Sequence, residues 1–262
     1  SASWDKTVKL WSLQGELLRT LEGHTDHVTT VRFSPDGSTL ASASMDNTVK
    51  LWNLKGELLR TLEGHTHGSN NIKFSPDGQT IASDSYENWH RIVKIWNRNG
   101  QLLYTFKRCI DIKDIEFSPD SQTVAFASWD EKVKFWSLEG GSLNKIIDCN
   151  GYGKSVVFSP DGQIVASINR GNTIQLLNRQ GQLLQTLEGH RRQIERVVFS
   201  PDGQKIASAS QDKKVKVWNL QGELLHTFEG HASTVNSILF SPDGKTLAST
   251  SVNPDNTIKL WS

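Results

Sequence analysis

The residue types of a serine hydrolase recur along this chain. Histidine, serine and aspartate stand at matching intervals as His24, Ser42 and Asp46, as His190, Ser208 and Asp212, and as His231, Ser249 and Asp255. In the right geometry a histidine takes the serine proton, an aspartate orients the imidazole and the hydroxyl attacks an acyl carbon. Recurrence argues against that chemistry, because a catalytic site is built once while a structural device recurs with the unit that carries it. Other chemistries find less support. There is no Gly-rich phosphate loop and no cluster of His, Cys and carboxylates with metal-ligand spacing. Of the eight histidines, His27, His67, His90 and His226 are scattered over different segments. Cys109 and Cys149 lack third and fourth ligands and read as reduced thiols of a cytoplasmic protein. The expectation is a protein that is not an enzyme and uses no metal and no cofactor.

The elements that would position these residues are set by a repeat. Phe-Ser-Pro-Asp-Gly, or a one-residue variant, starts at Phe33, Phe74, Phe117, Phe158, Phe199 and Phe240, in steps of 41, 43, 41, 41 and 41 residues. A second marker, at the end of a strand-like run, falls at Trp11, Trp52, Trp96, Trp136, Leu177, Trp218 and Trp261. A unit of about 40 residues cannot bury its own apolar face, so such units stack and share cores.

One unit shows how it folds. Leu17, Leu18 and Leu21 lie in a short run that ends at Gly23-His24; Val28 to Phe33 is β-branched and alternating; Thr39 to Ser44 and Thr48 to Trp52 alternate again. These are four short strands. Ser34-Pro35-Asp36-Gly37 fits a type I turn between the second and third, with Pro fixing φ and Gly closing the turn. The outer hairpins turn on Gly15, Gly56, Gly100, Gly140 or Gly141, Gly181 and Gly222. Each unit is therefore expected to be a four-stranded antiparallel sheet.

Gly-His, Ser-Pro-Asp-Gly, Ala-Ser-x-Ser-x-Asp and Val-Lys-Leu-Trp, repeated in register along the whole chain, resemble the WD-repeat family of β-propellers, most of all the regular arrays of bacterial multidomain proteins. The resemblance implies an all-β propeller of four-stranded antiparallel blades in a single domain over residues 1–262, a piece of a longer chain. Seven blades are favoured, the first lacking its inner strand and the last its outer one; six blades result instead if the strand at Glu16 to Leu21 completes the blade begun at Val235. At the repeated position Trp is followed by Ser12, Asn53, Asn97, Ser137, Asn219 or Ser262 and never by Asp, a departure from the family name. The resemblance also implies an internal hydrogen-bond chain joining His24, Ser42, Asp46 and Trp52; His190, Ser208, Asp212 and Trp218; and His231, Ser249, Asp255 and Trp261. Ser1, Asp5 and Trp11 match it in phase without a preceding His.

Function is expected where the repeat breaks. Three inserted residues give Tyr86-Glu87-Asn88-Trp89-His90-Arg91 and remove the turn Asp; Gly-His becomes Arg108-Cys109 and then Cys149-Asn150; Phe126 replaces a Ser; another turn reads Asn169-Arg170-Gly171; and Leu177 replaces a Trp. The lock is expected to be lost in two or three blades. By the resemblance most of these changes fall in loops that share one face, the top. Trp4, Trp89 and Trp129 lie there outside the repeated Trp position, either as rigid binding anchors or as covers for neighbouring loops. The resulting ligand-binding set is Tyr86, Trp89, His90, Arg91, Arg108, Trp129, Tyr152, Arg170 and Arg192, read as a surface for a peptide or protein segment.

Charge gives no whole-molecule guide to partners, since 29 basic and 28 acidic residues leave a net charge of +1. The basic and aromatic sector also leaves open a nucleic-acid or glycan reader, with nucleic acid disfavoured. No apolar run approaches the roughly 18 to 20 residues of a membrane helix, so no membrane role is expected. Unpaired terminal strands would invite self-association.

Overall fold

The computed structural model describes residues 1–87, 90–106, 112–128, 132–139, 142–148, 155–169 and 172–262. The chain divides into two compact units, Ser1–Asp111 and Ile112–Ser262.

The first unit holds three sheets. Strands β1 (Val8–Trp11) and β2 (Leu17–Leu21) pair with each other. Then β3 (Val28–Phe33), β4 (Thr39–Ser44), β5 (Val49–Asn53) and β6 (Leu58–Leu62) form a meander, as do β7 (Ser69–Phe74), β8 (Thr80–Glu87), β9 (His90–Asn97) and β10 (Leu102–Phe106). Every pairing is antiparallel. Because β2 pairs with β1, Val8 opposite Leu21, it does not complete the last sheet, and the seven-sheet reading holds over the six-sheet one. Ahead of β1 the expected second strand is reduced to a single bridge between Ala2 and Val8.

The second unit holds four sheets. These are β11 (Ile112–Phe117), β12 (Thr123–Ser128), β13 (Lys132–Ser137) and β14 (Ser142–Asp148); β15 (Val156–Phe158), β16 (Ile164–Ile168), β17 (Ile174–Asn178) and β18 (Leu183–Leu187); β19 (Ile194–Phe199), β20 (Lys205–Ser210), β21 (Val215–Asn219) and β22 (Leu224–Phe228); and the three-stranded β23 (Val235–Phe240), β24 (Leu247–Ser251) and β25 (Ile258–Trp261).

Ser34 shows why each Pro-Asp-Gly segment turns where it does. Its hydroxyl donates to Asp36 and accepts from the Thr39 N–H, its carbonyl takes the Gly37 N–H at 2.8 Å, and Gly37 sits at φ +67°, which a residue with a Cβ resists. The same hydroxyl-to-aspartate bond recurs at Ser75, Ser118, Ser159, Ser200 and Ser241. Guanidinium groups then tie neighbouring sheets at these turns: Arg98, just past β9, binds Asp36 of the preceding sheet, and Arg179 binds Asp120.

Apolar cores lie between sheets. Val8 and Leu21 of the first sheet pack on Val28, Leu40 and Trp52 of the next; Val49, Leu51 and Leu62 pack on Ile72, Ile81 and Trp96 of the third. In the second unit Ile174, Leu176 and Leu187 pack on Ile206 and Trp218, and Val215 and Val217 on Ile238, Leu247 and Trp261. Leu177 fills a tryptophan position at 2% exposure and packs beside Val133 and Phe135, so a smaller apolar side chain still closes that interface. Among the described side chains, the outer strands contribute only their last residue to these cores. Leu187 is 1% exposed and Leu184, on the same strand, 52%. Leu187→Ala is expected to cost about 2–5 kcal/mol in urea unfolding and Leu184→Ala about 1 kcal/mol or less.

Candidate functional site

The recurring histidines, serines and aspartates meet inside the sheets. Gly23 has φ +145°, and a Cβ there would lie 3.2 Å from the Trp52 ring, so glycine lets the loop between β2 and β3 rest on the indole and deliver His24 inward. Trp52 Nε1 donates to Ser42 Oγ at 2.8 Å, and His24 Nε2 lies 2.7 Å from the same oxygen. Ser42 is fully buried, and the His24 ring is the only acceptor among its partners, so the hydroxyl hydrogen goes to Nε2. Nδ1 then carries the imidazole proton and donates to Asp46 Oδ2 at 2.8 Å. That oxygen also takes the Thr25 N–H at 3.0 Å, while Oδ1 takes the Thr48 N–H and hydroxyl. The order Trp, Ser, His, Asp is a one-way chain of donors ending on a carboxylate.

Burial holds His24 below its ordinary pKa despite Asp46, which favours the neutral ring this chain requires. Burial alone would raise Asp46, but the bonds from Thr48 and His24 outweigh it and hold the carboxyl below the usual range. The serine is thereby placed for structure. At 0–1% exposure the hydroxyls of Ser42, Ser83, Ser208 and Ser249 cannot reach a substrate carbonyl.

The set recurs with one defect. His231 lies 2.6 Å from Asp255 and 2.8 Å from Ser249, which accepts from Trp261 Nε1 at 2.8 Å. His190 lies 2.8 Å from Asp212 and 2.6 Å from Ser208, but the Trp218 Nε1 is buried without an acceptor, which corrects the expectation of a four-membered chain there; its ring meets His190 edge-on at 5.6 Å instead. Trp11 Nε1 reaches Ser1 Oγ at 3.1 Å, and Asp5 holds Thr7 and Lys9.

The third sheet was expected to lose the lock with its turn aspartate, and it does not. There β8 and β9 stay paired out to Glu87 opposite His90, and no aspartate stands beside His65 among the described residues. His65 Nε2 lies 2.7 Å from Ser83 Oγ, which accepts from Trp96 Nε1 at 2.8 Å, and Ser85 Oγ lies 2.8 Å from His65 Nδ1. Burial first, and then the charge of Lys94, push His65 down to about 4. In the sheet with Leu177, Ser167 keeps a buried hydroxyl with no hydrogen-bond partner among the described residues.

The expected ligand-binding residues separate. Tyr86, 48% exposed, and the exposed His90 both lie at the end of the β8–β9 hairpin, where Tyr86 pairs with Arg91 and His90 with Glu87, so the two project from opposite faces of the sheet. Arg91 is a correction. Its guanidinium binds Asp84 with both side chains buried, so it neutralises an internal carboxylate that burial pushes up, and it is not offered to a ligand. Arg192 is exposed in the second unit, between β18 and β19, where its carbonyl accepts from Ser210. Trp89, Arg108, Trp129, Tyr152 and Arg170 lie outside the described residues, as do Cys109 and Cys149. Trp4 stacks on His27 at 5.3 Å and 16°, and its carbonyl bonds His27 Nδ1 at 2.7 Å, yet the indole stays 81% exposed. Nothing in its sequence neighbourhood pointed to His27 as the stacking partner.

The lock predicts a pH profile. His65 has a folded pKa lowered from 6.5 to about 4, so its contribution is whole above 6.5 and is lost as pH falls toward 4, by up to about 3 kcal/mol. The stability gap between wild type and His65→Gln in urea unfolding should narrow from pH 7 to pH 4; a constant gap would contradict a buried neutral ring. Asp212 and Asp255 act lower down. Burial tends to raise both, but hydrogen bonds, chiefly from His190 and from His231 and Thr257, lower them to about 2, so their stabilisation is present above 3.8 and is lost as pH falls through about 2. Trp52→Phe is expected to destabilise by about 1 kcal/mol more than Trp218→Phe, since only the former removes a hydrogen bond.

Comparison with known proteins agrees with this architecture. The family model described as "WD domain, G-beta repeat" matches residues 15–53, 56–97, 100–137, 181–219 and 222–262. The intervening stretch includes β15 to β17, where Leu177 stands in the tryptophan position. Among curated proteins, the chain is 56% identical over 43 residues to small ribosomal subunit protein RACK1y of Oryza sativa subsp. japonica and to small ribosomal subunit protein RACK1 of Caenorhabditis elegans, covering 16% of this chain and 13% of each relative. It is 51% identical over 43 residues to MST50-interacting protein 11 of Pyricularia oryzae, covering 16% of this chain and 14% of that protein. Each of these matches is about one repeat long, and the chain spans only that small share of the relatives' length. Five family matches over most of the chain are decisive: this chain belongs to the WD-repeat family of β-propellers.

Proposed function

We propose that this chain is a non-enzymatic, cytoplasmic interaction scaffold that binds a peptide or protein segment through the loops where its repeats diverge. The observation that carries the reading is the β8–β9 hairpin. Its two strands, at eight residues each, are longer than those of the other sheets, and they extend a rigid sheet into the loop region with Tyr86 and His90 exposed at its end. Aromatic and imidazole groups held on a paired backbone lose little conformational entropy on binding, which is what an anchor needs. The names of the relatives, two ribosomal subunit proteins and one interacting protein, agree with a scaffold class. With Arg91 engaged by Asp84, the proposed contact set is Tyr86, Trp89, His90, Arg108, Trp129, Tyr152, Arg170 and Arg192.

Capture of partners by immobilised wild-type protein should fall at least tenfold in the combined Trp89→Ala, Arg108→Ala, Trp129→Ala variant, with the unfolding midpoint in urea unchanged. Undiminished capture by that variant would remove the loop residues from the interface.

A further inference from the structure

In three sheets a carboxylate closes the hydrogen-bond chain. One oxygen of Asp46, Asp212 or Asp255 accepts from His Nδ1 and also from the backbone N–H of the residue after the histidine, Thr25, Arg191 or Ala232, at 3.0 Å in each case. The β7–β10 sheet has the histidine and the following residue but no aspartate. A cavity of about 50 Å³ occurs there, with His65, Thr66, Ser85, Glu87, Ile92 and Lys94 in its wall.

The proton order fixes what faces that cavity. In the tautomer that the aspartate-bearing sheets require, Trp96 Nε1 donates to Ser83, the buried Ser83 hydroxyl donates to His65 Nε2, and His65 Nδ1–H donates to Ser85 Oγ. The Ser85 hydroxyl hydrogen is left without an acceptor, and the Thr66 N–H likewise makes no hydrogen bond among the described residues. Two donors thus converge where the other sheets place an aspartate. Lys94 adds positive charge at the same wall, 7% exposed, as Lys216 does beside Asp212. The volume holds a few waters or one small planar anion.

We propose that this cavity is a carboxylate site, taking the end of an aspartate or glutamate side chain from a bound peptide, or a small free carboxylate, with Ser85 Oγ–H and Thr66 N–H as donors. It rests on the geometry of one sheet and does not depend on the loop surface being a protein interface. Glu87, at the cavity wall, is the internal competitor. Its negative charge opposes an incoming anion, so Glu87→Gln should tighten binding.

The test is a titration of ¹⁵N-labelled protein at pH 7 and constant ionic strength with sodium formate, with sodium chloride as the control. Capped aspartate (N-acetyl, N-methylamide) and its asparagine counterpart follow. The Thr66 amide should shift saturably with formate, at millimolar affinity at best for so small a ligand, and several-fold more tightly in Glu87→Gln. Ser85→Asp, which supplies the carboxylate covalently, should abolish the response. A shift with capped aspartate and none with asparagine assigns the site to side chains; a shift with formate alone assigns it to free carboxylates. No saturable shift in wild type or Glu87→Gln, an equal shift with chloride, or a response that persists in folded Ser85→Asp would overturn the proposal.

Discussion

A neutral imidazole buried between a serine hydroxyl and a second acceptor is the contact that fixes how the entry loop meets each regular sheet. It joins three separated places: the loop that enters the sheet, the second strand through serine, and the third strand through tryptophan. Such a ring would be costly to bury unpaired, since each lost partner leaves a polar atom in a low-dielectric interior. Its requirements propagate outward. Gly23 must turn the loop onto the indole at a φ that other residues resist, and the residue after the histidine must point its N–H at the same carboxylate. The Gly-His pair, the Ser, the turn Asp and the Trp are therefore one device distributed over about 30 residues of sequence.

The sheets do not need that device in order to form. Where Leu177 replaces Trp and Ser167 has no partner among the described residues, β15 to β18 still pair, because the apolar interface with the neighbouring sheets is intact. Two layers of specification coexist. Burial between sheets makes the stack, and the hydrogen-bond chain fixes how each loop meets its sheet. Divergence is tolerated in the second layer more readily than in the first, which explains why loop residues change while the strand cores keep their apolar pattern.

The period and the turn residues placed the strands closely. Val28–Phe33 and Thr39–Ser44 lie where alternation puts them, and the seven Trp-type strands appear as β1, β5, β9, β13, β17, β21 and β25. What escaped the sequence was the use made of individual side chains. Arg91 looked like a surface cation in a divergent loop, but the three-residue insertion lengthens a hairpin and brings it beside Asp84, seven residues away, as a buried pair. Ser85 gave no sign that it would replace an aspartate, because its role depends on β8 continuing straight past the usual turn. Trp218 satisfies the repeat pattern and still lacks its bond, since a spacing rule fixes neighbours without fixing the last few tenths of an ångström.

The direction of the hydrogen-bond chain is the central claim, and the imidazole tautomers report it directly. Long-range ¹H–¹⁵N NMR at pH 7 should show His24 and His65 as neutral rings with the proton on Nδ1 and a bare Nε2 accepting from serine. Rings protonated on Nε2, or imidazolium at that pH, would mean that the serine hydroxyls point elsewhere and that the chain from tryptophan to carboxylate does not exist.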